Sequence, residues 1–102
     1  MGEYVKVAKT DDLSENSGIL VEVKDKKIAL FRTEEGYYAI DDTCPHKGGP
    51  LSEGEVEGNE VICPWHGAGF NVKSGEVLGP PASTGVAAYA VRVSGDDIEI
   101  EV

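Results

Sequence analysis

Apolar residues in this chain recur in period two over short runs, and turn residues interrupt those runs roughly every 8 to 12 positions. This patterning points to an all-β domain, because a helix needs apolar residues three and four apart over about 11 positions or more. Residues 3–8 alternate. Residues 10–13 offer one short helical turn with Thr10 as its cap. Residues 19–23, 28–32 and 37–40 read as three strands of a meander, turned at Asp25-Lys26 and at Glu35-Gly36. The alternation stops over residues 43–50, which are rich in Gly and Pro. Residues 55–57 and 60–62 then flank Gly58-Asn59, a two-residue hairpin signal.

A second irregular stretch covers residues 63–69. Residues 70–72 and 76–78 surround Ser74-Gly75, which suggests another hairpin. Gly79-Pro80-Pro81-Ala82 is excluded as a central strand, since neither proline has an N–H to donate. Residues 86–93 and 98–102 close the chain as two strands across Gly95-Asp96. No long helix, repeat or linker interrupts the pattern. The expectation is one antiparallel all-β domain spanning residues 1–102, a length that suits a single modest core.

Charge narrows the partners. Nine Lys and Arg stand against 19 Asp and Glu, a formal net charge of −10. Nucleic acid is a poor partner for such a surface, because phosphate binding depends on basic side chains. A basic protein partner is compatible, and so is plain solubility. No apolar run approaches the ~18 residues of a spanning helix, and residues 1–9 lack the apolar stretch of a signal peptide. The expected location is therefore the cytoplasm, without membrane contact.

The two cysteines carry the chemistry. Cys44-Pro45-His46 lies in the first irregular stretch and Cys63-Pro64-Trp65-His66 in the second, with 16 residues between His46 and Cys63. The Gly58-Asn59 hairpin falls inside that spacer and should return the two stretches to one edge. Four soft or borderline ligands would then converge. Pro45 and Pro64 bias each cysteine away from helix, and Gly48, Gly49, Gly67 and Gly69 would let backbone amides approach a bulky inorganic group. Other readings remain. A disulfide would use both cysteines, but such bonds are uncommon without a secretory signal. Zinc accepts two Cys and two His, although zinc fingers usually pair Cys with Cys and His with His. A Cys–His nucleophile would leave the second pair unexplained, and unliganded core residues would need strand patterning that neither stretch has.

Taken together, C-x-H, a spacer of 16 and C-x-x-H resemble the Rieske iron–sulfur motif, and Gly79-Pro80-Pro81 is similar to that family's proline loop. The resemblance covers nearly the whole chain. It implies the Rieske fold of antiparallel sheets, with a cluster-binding subdomain of two loops at about 43–71 and a proline loop at 79–82. It implies one [2Fe–2S] cluster, with Cys44 and Cys63 on one iron and His46 and His66 on the other through Nδ1. Fewer thiolates leave the site less negative, so its potential lies above that of all-Cys ferredoxins. The implied role is a monomeric electron carrier without catalysis of its own. It would take one electron from a flavin-dependent reductase and pass it to a terminal oxygenase. A second role, the Rieske-like small subunit of an assimilatory nitrite reductase, is also open.

Finer implications follow from the same resemblance. Respiratory Rieske proteins bridge their loops with an extra cysteine pair, and the matching positions here are Gly49 and Trp65. High-potential members place hydroxyl donors where this chain has Ala68 and Phe70. Trp65 would contribute to a docking surface, or else form a lid on Pro80 or Pro81. Glu53, Glu55, Glu57 and Glu60 would steer a basic partner, or else merely keep a solvated strand from pairing.

Overall fold

The computed structural model describes residues 2–44, 48–65, 67–79 and 85–102. The three central runs form β2 (Ser17–Val23), β3 (Lys26–Thr33) and β4 (Gly36–Asp41), paired antiparallel as the expected meander. β3 buries Ile28, Ala29, Leu30 and Phe31 in succession. Successive strand residues point to opposite faces, so this run means that both faces of β3 are covered. Ala29 and Phe31 enter one core with Ile40, Leu51, Val61, Phe70 and Val72. Ile28 and Leu30 enter a second core with Leu13, Val21, Ile98 and Ile100.

Two further sheets supply those covers. β1 (Tyr4–Lys9), β11 (Asp97–Glu101) and β10 (Val91–Ser94) form one, in the order β1-β11-β10. β5 (Glu55–Glu57), β6 (Glu60–Ile62), β7 (Gly69–Asn71) and β8 (Val77–Gly79) form the other, in sequential order. β9 (Ala88–Tyr89) extends the meander beside β4.

Several boundaries differ from the sequence reading. The β2–β3 turn is Lys24-Asp25, with φ of 50° and 66°, not Asp25-Lys26. Two left-handed central residues match the twist of a tight hairpin, and this register keeps Val21, Val23, Ile28 and Leu30 buried. The β3–β4 turn is Glu34-Glu35, between paired Thr33 and Gly36, and the Glu35 N–H donates to Thr33 Oγ1 at 3.1 Å. The 3₁₀ turn Thr10–Asp12 is capped not by Thr10 but through Asp12, whose carboxylate accepts the Lys9 N–H at 2.9 Å. β7 and β8 each sit one residue off the expected positions. Asn71 Oδ1 accepts the N–H groups of Lys73 and Ser74, closing a local turn that leaves Val72 in the core.

The largest difference is at residues 86–93, read as one strand. The chain there leaves β9 on the meander and continues as β10 in the terminal sheet, with the Ala90 carbonyl accepting from Glu101 N–H at 2.9 Å. The Tyr89 hydroxyl donates to Asp41 Oδ1 at 2.5 Å and fastens the crossing point to β4.

Candidate cluster site

Both cysteines lie just beyond strand ends. Cys44 follows β4, and Cys63 follows β6 directly. The base of the first loop is fixed by Asp42, a buried residue whose carboxylate accepts the Ser52 N–H at 2.8 Å while its carbonyl accepts Leu51 N–H at 2.7 Å. A Thr43–Pro50 bridge closes the same base. The second loop leaves β6 at Ile62 and returns at Gly69, which are cross-strand partners.

The two loops share one backbone design. Cys44 N–H donates to Gly49 O at 2.9 Å, and Gly48 N–H donates back to Cys44 O at 2.8 Å. Cys63 N–H donates to Ala68 O at 2.7 Å, and Gly67 N–H donates back to Cys63 O at 3.0 Å. In each loop the fourth residue after the cysteine is a left-handed glycine, Gly48 at φ 78° and Gly67 at φ 80°. A side chain there would be strained. The Gly48 and Gly67 N–H groups close the loops on the cysteine carbonyls. Gly69 differs again, since a Cβ there would strike the Glu60 carboxylate. The shared offset from Cys to Gly was visible in the sequence and is the signal that marks the repeated loop.

The loops meet. A Cβ placed on Gly49 would stand 2.9 Å from Cys63 Sγ, 2.9 Å from Trp65 Cγ and 3.1 Å from Trp65 Cδ2. The hairpin thus returns the second loop to the first, as its two-residue turn requires. Gly58 holds φ 57° at the first central position of that turn. Cys44 and Cys63 are each 2% exposed and share the core of Phe31, Leu51 and Phe70. Trp65 remains 56% exposed. His46 and His66 lie outside the described residues, as do Pro45 and residues 80–82 of the proline loop. The described half of the donor set suits iron–sulfur chemistry. Two thiols, the soft ligands that such clusters need, sit in matched loops whose close approach a single Cβ would obstruct.

A polar network that the sequence did not announce holds the other end of the cluster sheet. Glu35, in the β3–β4 turn, pairs with Lys73 of the β7–β8 loop and accepts from Asn59 Nδ2 at 3.3 Å. The Lys73 ammonium also stands 5.4 Å from the Tyr38 ring centre. Hydrogen bonding from Lys73, then from Asn59, holds the Glu35 carboxyl below its usual range, and the same bond raises Lys73. These groups are 24 and 38 residues apart, so no local pattern could have paired them.

The family model of the Rieske [2Fe-2S] domain matches residues 3–90. The chain belongs to this family. As a Rieske protein it carries one [2Fe–2S] cluster and serves as an electron carrier. Its relatives include the ferredoxin component of the naphthalene 1,2-dioxygenase/salicylate 5-hydroxylase systems of Ralstonia sp, 34% identical over 90 residues, or 88% of this chain and 86% of that one. The ferredoxin of carbazole 1,9a-dioxygenase from Nocardioides aromaticivorans IC177 has the same fold, with TM-score 0.91, 29% identity and 95% of each chain covered. A complex of reduced oxygenase and oxidized ferredoxin in carbazole 1,9a-dioxygenase gives TM-score 0.89 at 29% identity, covering 96% of this chain and 92% of that one. A nitrite reductase (NADPH) small subunit gives TM-score 0.83 at 27% identity, covering 96% and 97%. Among the described residues of this Rieske protein, no helix is long and apolar enough to cross a membrane.

Proposed function

We propose that Cys44, His46, Cys63 and His66 hold the [2Fe–2S] cluster, and that the protein relays one electron from a flavin-dependent reductase to a terminal oxygenase. The observation that carries the ligand set is the pairing of the two cysteine loops, identical in backbone bonding and packed against each other at Gly49 and Cys63. When bound, the cluster supplies a reversible one-electron couple. The chain's own contribution is to bury both thiols, to keep the loops at a fixed spacing, and to hold that assembly rigidly through β6 and β7. On this reading residues 43–71 with the proline loop 79–82 are the cluster-binding part of one domain, and the remaining strands are its base.

The partner assignment rests on kinship with ferredoxin components of dioxygenase systems and on a ferredoxin seen with its oxygenase. The acidic surface, with Glu53, Glu55 and Glu57 exposed around β5, suits transient contact with basic partners. A monomer working in the cytoplasm fits this role. The nitrite reductase reading has less support. It rests on a shared fold, whereas the curated relatives above are dioxygenase ferredoxins.

The deciding experiment is anaerobic purification followed by iron and sulfide analysis and visible spectroscopy. About two irons and two sulfides per chain are expected, with loss of the cluster in His46→Ala and in His66→Ala. Zinc in place of iron would overturn the ligand reading. Electron-transfer assays against a flavin-dependent reductase and a terminal oxygenase, or against a large nitrite reductase subunit, would separate the two roles.

A further inference from the structure

The two cysteine loops are each closed by their own backbone. The backbone hydrogen bonds between Cys44 and Gly49, Gly48 and Cys44, Cys63 and Ala68, and Gly67 and Cys63 each run within one loop. With two cysteines in the whole chain, no separate disulfide is left to join the loops once both hold iron. Across the gap, Trp65 meets Gly49. The Trp65 Cγ and Cδ2 and the Cys63 Sγ all crowd the point where a Gly49 Cβ would be. The indole therefore lies on the bare Gly49 backbone, while 56% of the residue stays in solvent.

We propose that Trp65 packed on Gly49 is the clamp that keeps the two cysteine loops together, making Trp65 a positioning residue for Cys63. Three observations carry this. Trp65 is two residues from Cys63 in the same loop, so movement of the indole moves the strand of backbone that carries the thiol. Gly49 is the residue whose carbonyl accepts the Cys44 N–H, so pressure on Gly49 acts on the other thiol's loop through one bond. An aromatic ring laid on a glycine buries apolar area at low entropic cost, since the ring has only two side-chain torsions to fix. The contact tolerates no extra atom, because an alanine at position 49 would meet both Sγ and the ring at distances real Cβ atoms do not keep.

The inference rests on the proposed ligand set, and the test separates the two. Holo protein and its variants are held anaerobically with excess iron chelator, and decay of the visible absorbance gives the rate of cluster release, with far-UV circular dichroism recording the base fold. Trp65→Leu, apolar but not flat, and Trp65→Ala are expected to release the cluster three- to tenfold faster, on the order of what one aromatic packing contact supplies. Trp65→Phe should fall between them and the wild type, and Gly49→Ala should be faster than the wild type. Release from Trp65→Leu and Gly49→Ala at the wild-type rate would overturn the clamp. Should Trp65→Ala not load, Trp65→Leu and Trp65→Phe carry the same comparison. A wild-type chain that binds no iron would overturn the ligand set instead. A Trp65 used only for partner contact would alter partner kinetics and leave release unchanged, which also counts against the clamp.

Discussion

Ala68 closes the second cysteine loop on Cys63, its carbonyl accepting the Cys63 N–H at 2.7 Å while its methyl is wholly buried. Phe70, two residues on, is buried in the same core as both cysteines. Neither side chain has a donor to offer a sulfur. Such a donor would favour the reduced state, which carries one more negative charge.

Potential is therefore expected near the low end of the Rieske range, around −150 mV. A hydrogen bond to a charged group contributes ~1.5–3 kcal/mol, and about half of that would act as the difference between redox states. At roughly 59 mV per 1.4 kcal/mol for one electron, Ala68→Ser and Phe70→Tyr should each raise the potential by ~30–65 mV. Protein-film voltammetry measures this directly. A wild-type potential above about +100 mV would contradict the argument, as would no rise in a variant whose hydroxyl is seen bonded to sulfur.

Asp42 should matter to the first loop out of proportion to its distance from any thiol. Removing the carboxylate in Asp42→Ala leaves the buried Ser52 N–H without its acceptor, a loss of ~1–3 kcal/mol. Asp42→Asn keeps an oxygen at that place and should recover most of the stability. Denaturant unfolding of wild type and both variants makes the comparison, and equal midpoints for Ala and Asn would refute the role given to this bond.

The Glu35–Lys73 pair predicts a pH window. The Glu35 pKa is held below 4.5 in the fold, so its contribution is present above that value and fades as pH falls through the lower, folded one. Lys73 is raised above 10.5, so its contribution is full below that value and lost above its folded pKa. Glu35→Gln should therefore lower the melting temperature slightly near pH 7. The gap to wild type should narrow as the medium is taken below pH 4.5. A gap independent of pH would show that the charge is not what counts.

Tyr89 gives a spectroscopic check on the sheet crossing. Burial, then the hydrogen bond to Asp41, pushes its phenol up to about 12. Alkaline ultraviolet titration should show a tyrosinate component forming at about 12 that is missing in Tyr89→Phe. Its survival in that variant would mean that the β9–β4 contact is not as described.

Steering by the acidic β5 edge predicts salt dependence. Electron-transfer rates with the physiological partners should fall as the Debye length shrinks from ~10 Å toward ~3 Å. Glu55→Gln with Glu57→Gln should flatten that dependence. Rates that do not respond to salt would leave those carboxylates as guards against edge pairing.

The alternation of residues 3–8 and 19–23, and the short apolar run of 28–32 between turn residues, marked the strands by themselves, because neither pattern has the three-and-four spacing a helix needs. The Gly58-Asn59 turn determined that the stretches holding Cys44 and Cys63 would meet, since a tight hairpin returns its ends to one place. The cysteine and histidine spacing identified the family. What only the tertiary structure decided depends on partners far apart in the chain. Splitting of residues 86–93 between two sheets turns on what β4 and β11 offer on either side of Ala90, which no alternation records. The staple of Glu35 on Lys73 joins turns 38 residues apart. The seat of Trp65 on Gly49 needs both loops already folded, because the two residues belong to different loops that meet only when the hairpin between them has closed. Local sequence sets torsion preferences and facing. Contacts between loops are set by where the sheets carry them, and that is a property of the whole fold.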